Sequence, residues 1–412
     1  MTALVVGLAA LLLLLGGYIG WAQSVPPWRP PPASFPTPNA FDVYVEIAPA
    51  LDDDRTWRVS DDPNAPISDL RTALAKVRPE LDRIRESLAL ECVMPVDYSD
   101  PGIDPQRVLG LTVLRQAASL FSGEARIAAE EGRHGDAAQR SLEAIELGAQ
   151  IAAGGDIVTA HNSLGGIGFG GRWLEPVISK LSLTQAELAL ERLNAAGARW
   201  PTAAELQRRE RVAGVGYAYA EWADDDSLSI RERLDDAVYN HGYWGALKGW
   251  LTPRRQTLMK LDRFLIEAES AAKKPLAERQ PPASLAGLEG LLSMPSLKWE
   301  FLSSADKAQV QLDLLRLTAA LRIYHLRHDR YPATLEALAP LLGTEPPTDI
   351  FSGRPLQYEV IDGDYRLWSV GPNRTDDGGI PPEPDAIWND RDVVAGHVFE
   401  PVRHRAAAAG LL

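Results

Sequence analysis

The sequence predicts a mainly α-helical fold: an N-terminal transmembrane helix, an irregular α-helical domain, and a small α+β domain with a short antiparallel sheet. Three observations carry the prediction. Thr2–Ala22 contains no charged side chain, apolar residues recur at helical spacing from about 41 to 295, and two strand-like runs, Leu356–Val360 and Tyr365–Val370, flank the turn pair Asp362-Gly363. At 412 residues the chain exceeds one small domain and holds enough apolar residues for two or three cores. Its formal charge of -14, with no basic stripe interleaved with aromatics, repels a phosphate backbone and excludes nucleic acid as a partner. The single cysteine, Cys92, excludes an intrachain disulfide and a multi-cysteine metal site, and reads as a buried small apolar residue.

The apolar core Leu4–Leu15 continues through Gly16-Gly17-Tyr18-Ile19-Gly20-Trp21. About twenty such residues span a bilayer core as a helix, whereas a cleavable signal has ~7 to 15 and a basic start. Gly20-Trp21-Ala22 has the look of a cleavage site, yet the length and the missing basic start favour an uncleaved anchor over residues 1–22. Arg29 just after the span argues for a cytoplasmic body by the positive-inside rule; the expected location is nonetheless the cell membrane, single-pass, with the bulk of the chain outside the cytoplasm. Residues 23–40 are a linker whose tract Val25–Pro38 is rich in proline, so it cannot donate enough backbone bonds for helix or sheet and forms a stiff spacer.

The helical domain is expected over 41–295. Thr184 with Glu187, Thr202 with Glu205 and Ser229 with Glu232 each match a capping box, in which hydroxyl and carboxylate satisfy opposite free amides at a helix start. Two helical patterns between Gln106 and Ala153 flank Glu131-Gly132-Arg133-His134, and Ala128, Ala129, Ala137 and Ala138 allow close approach. This unit resembles a tetratricopeptide-type hairpin, without further copies at a fixed period. After His161 comes a Gly-x-Gly-x-Gly string, Gly166 to Gly170, but its flanks are helical. Tight packing or a turn is favoured over a dinucleotide fingerprint. Trp222, Tyr239, Tyr243, Trp244 and Trp250 suit core packing, with a peptide or glycan groove as the alternative.

Prolines at 275, 281, 282 and 295 mark a second boundary, and the last domain is placed at 300–400. It opens with an amphipathic helix, Asp306–His328, with Val310, Leu314, Leu317, Leu321 and Tyr324 on one stripe, stopped by Tyr331-Pro332. A short helix Thr334–Leu342 and the two strands follow. His325 and His328, i and i+3, read as surface groups favouring the negative helix end rather than as metal ligands.

The Tyr331-Pro332 stop, the pattern Asp349, Phe351, Gly353, Pro355, Tyr358, and the triplet Ser369-Val370-Gly371 occur in an order that resembles the C-terminal domain of the major pseudopilins of type II secretion. The resemblance covers roughly 305–394. It departs from that family in lacking the processed leader on the same helix, so a module on an envelope protein is implied rather than a pilus subunit. The resemblance also implies calcium in the loop Pro372–Val393, with Asp376, Asp377, Asp390 and Asp392 as its carboxylates, although the insertion Ile380–Pro384 alters their spacing. Calcium takes about six to eight hard oxygen ligands, which an acidic, glycine-bearing loop can supply.

No Gly-x-Ser-x-Gly elbow, His-Glu-x-x-His helix or Walker loop occurs. The expected function is a membrane-anchored extracytoplasmic scaffold or interaction protein with protein partners, associated with a type II secretion-like or envelope system. An extracytoplasmic hydrolase with its site in the helical domain is the alternative.

Overall fold

A computed structural model describes residues 2–25, 34–51, 54–62, 64–94, 105–227, 253–274, 276–280, 300–379 and 393–395. Its first helix, α1 (Thr2–Gln23), is uncharged, and its described side chains, among them Val6, Leu11, Leu13 and Leu14, are exposed. Among the described residues no helix is long and apolar enough to cross a membrane; that statement does not reach the side chains of residues 2–5, 8, 12, 19, 22 and 23. Of the proline spacer, residues 26–33 lie outside the described residues.

Four short helices follow: α2 (Ala40–Leu51), α3 (Asp54–Asp61), α4 (Ile67–Lys76) and α5 (Arg78–Ser87). Asn39 fixes the start of α2. Its Oδ1 accepts from Phe41 N (3.3 Å) and Val93 N (3.0 Å), and its Nδ2 donates to Val93 O (2.8 Å). The expected hairpin is α6 (Pro105–Glu130) and α7 (His134–Gly154), joined through Gly132 at φ 74°, with Ala128, Ala137 and Ala138 buried at the turn end. Then come α8 (Ile157–Ile178), α9 (Leu183–Arg199) and α10 (Ala203–Ser227).

The glycine string lies inside α8, as packing surface. A Cβ on Gly166 would stand 2.8 Å from Ala144 O and from Gly148 Cα, so α7 and α8 meet backbone to backbone. The cap at Thr202 and Glu205 forms as expected, with Glu205 N donating to Thr202 Oγ1 (3.2 Å) and Thr202 N to Glu205 Oε2 (2.8 Å). The one expected at Thr184 and Glu187 does not. Ser182 and Gln185 cap α9 instead, because buried Leu181, its carbonyl held by Arg322, ends the reversal two residues earlier. Ser229 and Glu232 lie outside the described residues.

Next come α11 (Arg254–Ala272) and α12 (Glu300–His328), the latter starting six residues before the expected Asp306. Helix α12 is buried on more than one side: Val310, Leu314, Leu317 and Leu321 join Leu312, Leu315, Ala319 and Ile323 in the core. It ends at Asp329 (φ 54°), immediately before the residues preceding Pro332. The expected helix Thr334–Leu342 divides into a 3₁₀ turn, Leu335–Leu338, and a single α-turn, α13 (Ala339–Leu342).

Strands β1 (Gln357–Ile361) and β2 (Asp364–Ser369) form an antiparallel hairpin in the register Gln357 opposite Trp368 and Ile361 opposite Asp364. Its turn residues Asp362 (φ 52°) and Gly363 (φ 85°) are both left-handed, the geometry whose twist matches the strands. A third strand, β3 (Val393–Val394), absent from the sequence reading, pairs with the end of β2.

Two apolar clusters hold the chain. One joins α2, α4 and α5 to α6 and α7. The other runs from α7–α10 through α12 to Phe351, Leu356, Leu367 and Val370, so it continues across the interval around 277–300 that the sequence marks with prolines. Arg279 Nη1 adds a buried bond to Asp306 Oδ2 at 2.5 Å on α12; burial raises the Asp306 carboxyl, with Arg279 opposing.

Candidate functional site

A cavity of about 210 Å³ opens where α8, α12 and the sheet meet. Glu175, Pro176 and Ser179 come from the end of α8, Thr318 and Arg322 from α12, and Tyr331, Asp364 and Tyr365 from the C-terminal segment. Arg322 is held in place because its Nε (3.1 Å) and Nη2 (2.9 Å) both donate to Leu181 O, a carbonyl left open after α8. Tyr331 stacks on His325 at 4.6 Å and meets Tyr365 edge-on at 4.8 Å.

Burial raises the Tyr365 phenol above its ordinary value, with the Thr318 hydrogen bond opposing it. Burial also raises Tyr331, with Asp364 adding and Arg322 opposing. Both phenols stay protonated near neutrality. The cavity therefore presents hydrogen-bonding groups to a small polar moiety, and among the described residues neither histidine nor cysteine lines it. Its residues come from three separate segments, so no local motif marks them; Thr318 and Arg322, at i and i+4, share one side of α12 but are two among many polar residues of that helix.

The motifs that carry the pseudopilin resemblance are joined by internal bonds. Asp349, fully buried, accepts from Phe351 N (3.0 Å) and Ser369 Oγ (2.9 Å) on one oxygen and from Val370 N (2.9 Å) on the other. Tyr358 donates its hydroxyl to Pro332 O at 2.8 Å, closing the hairpin onto the Tyr-Pro stop. Asp349, Ser369 and Tyr358 thus organise the small domain.

In the acidic loop the exposed Asp376 accepts from Trp368 Nε1 (3.0 Å) and Gly378 N (2.9 Å), and Asp377 accepts from Asn373 Nδ2 (3.0 Å). Arg366 donates to Gly378 O (2.7 Å) and Gly379 O (2.8 Å), so a guanidinium occupies two backbone carbonyls of the loop. Among the described residues no group of three or more carboxylate, histidine or cysteine ligands converges. Asp390, Asp392 and the insertion Ile380–Pro384 lie outside the described residues.

Tyr239, Tyr243, Trp244 and Trp250 also lie outside them, as does the side chain of Trp222. His328 packs on Tyr324 at 4.3 Å, and His325 on Tyr331, the surroundings of helix-end histidines rather than of a metal pair. Cys92 is buried, its thiol pushed up to about 12 by that burial.

One charged cluster escaped sequence reading altogether. Arg85 of α5 donates through Nε to Glu143 of α7 at 2.9 Å and also pairs with Glu124 of α6, while Arg140 Nη1 reaches Glu143 at 2.7 Å. Burial raises the Glu124 carboxyl, with Arg85 and Arg140 opposing. The cluster locks three helices together in a fixed register.

Comparison with family models, curated proteins and solved structures returns no match to this chain.

Proposed function

We propose that this chain is a membrane-anchored scaffold or interaction protein: α1 inserts as a single-pass anchor, the helical body stands outside the cytoplasm, and the small C-terminal domain is displayed as a pseudopilin-like module beside a secretion or envelope system. The observation that carries the reading is α1 itself, 22 residues with no charge and with its described leucines turned to solvent rather than into the body. A helix of that length is about 33 Å, close to the ~30 Å of bilayer hydrocarbon. Exposed leucines grouped in this way mark an interaction surface, here read as one for lipid. Calcium belongs to the proposal, with Asp376, Asp377, Asp390 and Asp392 as its carboxylate ligands and Arg366 competing with the ion for the Gly378 and Gly379 carbonyls.

Expression in a bacterial host tests the anchor. The full chain should remain in the membrane pellet through alkaline carbonate washing, and protease added to spheroplasts should digest the body. Release by carbonate removes the anchor; protection from protease reverses the orientation. The polar cavity lined by Glu175, Arg322 and Asp364 favours a second reading, an extracytoplasmic hydrolase. Turnover of a peptide or glycan, lost in Glu175→Gln, would promote it above the scaffold.

A further inference from the structure

We infer that α11 is an interfacial helix whose outward face, from Arg255 to Ile266, lies on an anionic phospholipid surface at the point where α1 leaves the bilayer; the inference rests on the anchor reading of α1. Arg255 links the two helices. Arg255 Nε donates to Ser24 O at 2.8 Å, and its guanidinium carbon lies 5.9 Å from the centre of the Trp21 ring, where a cation favours the negative end of α1. Tyr18 and Trp21, with ring centres 6.1 Å apart, supply the aromatic pair that anchors a span at headgroup depth. A group bonded to Ser24 therefore stands at that depth too.

The composition of α11 suits the position. Its first ten residues, Arg254–Arg263, hold Arg254, Arg255, Lys260 and Arg263 against the single carboxylate Asp262, within a chain of net charge -14. Asp262 itself is engaged by Arg211 Nε at 2.8 Å. One face of α11 buries Leu261, Phe264, Leu265 and Ala268 in the body. Met259 and Ile266 lie on the opposite face, 64% and 43% exposed, with the Arg263 side chain between them 82% exposed and paired with Glu267 Oε1 at 3.3 Å. Apolar side chains set among cations on an outward face, on a helix whose other face is already packed, are what a helix resting in anionic headgroups presents. An acidic protein partner fits the cations but leaves the link to Trp21 and Ser24 without a role.

The test uses the full chain in nanodiscs containing spin-labelled phospholipid, with a bimane probe at Leu13→Cys, Met259→Cys or Ile266→Cys; buried Cys92 stays unlabelled. In phosphatidylglycerol discs, lipid should quench the probes at 13, 259 and 266. Replacing the lipid with phosphatidylcholine, or introducing Arg254→Glu with Lys260→Glu, should reduce quenching at 259 and 266 by about twofold or more and leave 13 unchanged. Quenching at 13 without quenching at 259 and 266 overturns the inference while the anchor stands. Equal quenching in both lipids overturns the anionic assignment. No quenching at 13 removes the anchor, and the inference with it.

Discussion

Ser369 Oγ donates to Asp349 Oδ1 at 2.9 Å across twenty residues of chain, and the next amide, Val370 N, meets Oδ2 at the same distance. One buried carboxylate thereby ties the turn after α13 to the end of β2.

Asp349→Ala should destabilise the protein by about 3 kcal/mol or more, because it strands two amides and a hydroxyl in an apolar setting. Ser369→Ala removes one bond and should cost about 1 kcal/mol. Urea denaturation followed by tryptophan fluorescence reads both, and equal losses in the two variants would contradict the shared-carboxylate account.

Adjacent glycines of α8 should respond with opposite signs. Gly165→Ala meets only Phe169 at 3.9 Å and should stabilise by up to about 1 kcal/mol through helix propensity. Gly166→Ala meets the backbone of α7 at 2.8 Å and should destabilise by about 1–3 kcal/mol. Thermal melts of the two variants decide it; a stabilised Gly166→Ala would mean that the helices do not touch there.

Burial raises the Cys92 thiol from its ordinary 9.0 to about 12, so the folded state holds the proton more tightly than the unfolded state. The associated stability is complete below pH 9 and is lost as pH rises towards 12, at about 1.4 kcal/mol per unit within that window. Native protein at pH 8 should resist iodoacetamide and react once unfolded in urea. In Cys92→Ala the fall in stability above pH 9 should be shallower; a slope matching the parent's would assign it to other groups.

The calcium part of the proposal predicts a higher melting midpoint of the full chain with calcium than with chelator. The rise should be larger in Arg366→Gln, where no guanidinium competes for Gly378 O and Gly379 O. An unchanged midpoint in both proteins removes calcium from the account.

Features set by local chemistry were legible in the sequence. The α6–α7 hairpin announces itself through helical periodicity and small residues, and the β1–β2 turn through Asp362-Gly363, a pair that readily takes two successive left-handed residues. Where two local signals overlap, tertiary contacts choose between them: Ser182 with Gln185 and Thr184 with Glu187 are both plausible caps, and the burial of Leu181 under Arg322 selects the first. The Arg85 cluster and the cavity by Glu175 and Asp364 gather residues distant in the chain, so no window of sequence contains them. Strand β3 is two residues long, too short for alternation to register.

Helix α12 packs on α8 and α9 and also touches β2, where Thr318 hydrogen-bonds Tyr365. Force applied to β2 by anything that grips the small sheet would pass to α9 through this one unbroken helix of 29 residues. The sheet and the helices around α9 are thereby mechanically coupled through a single element.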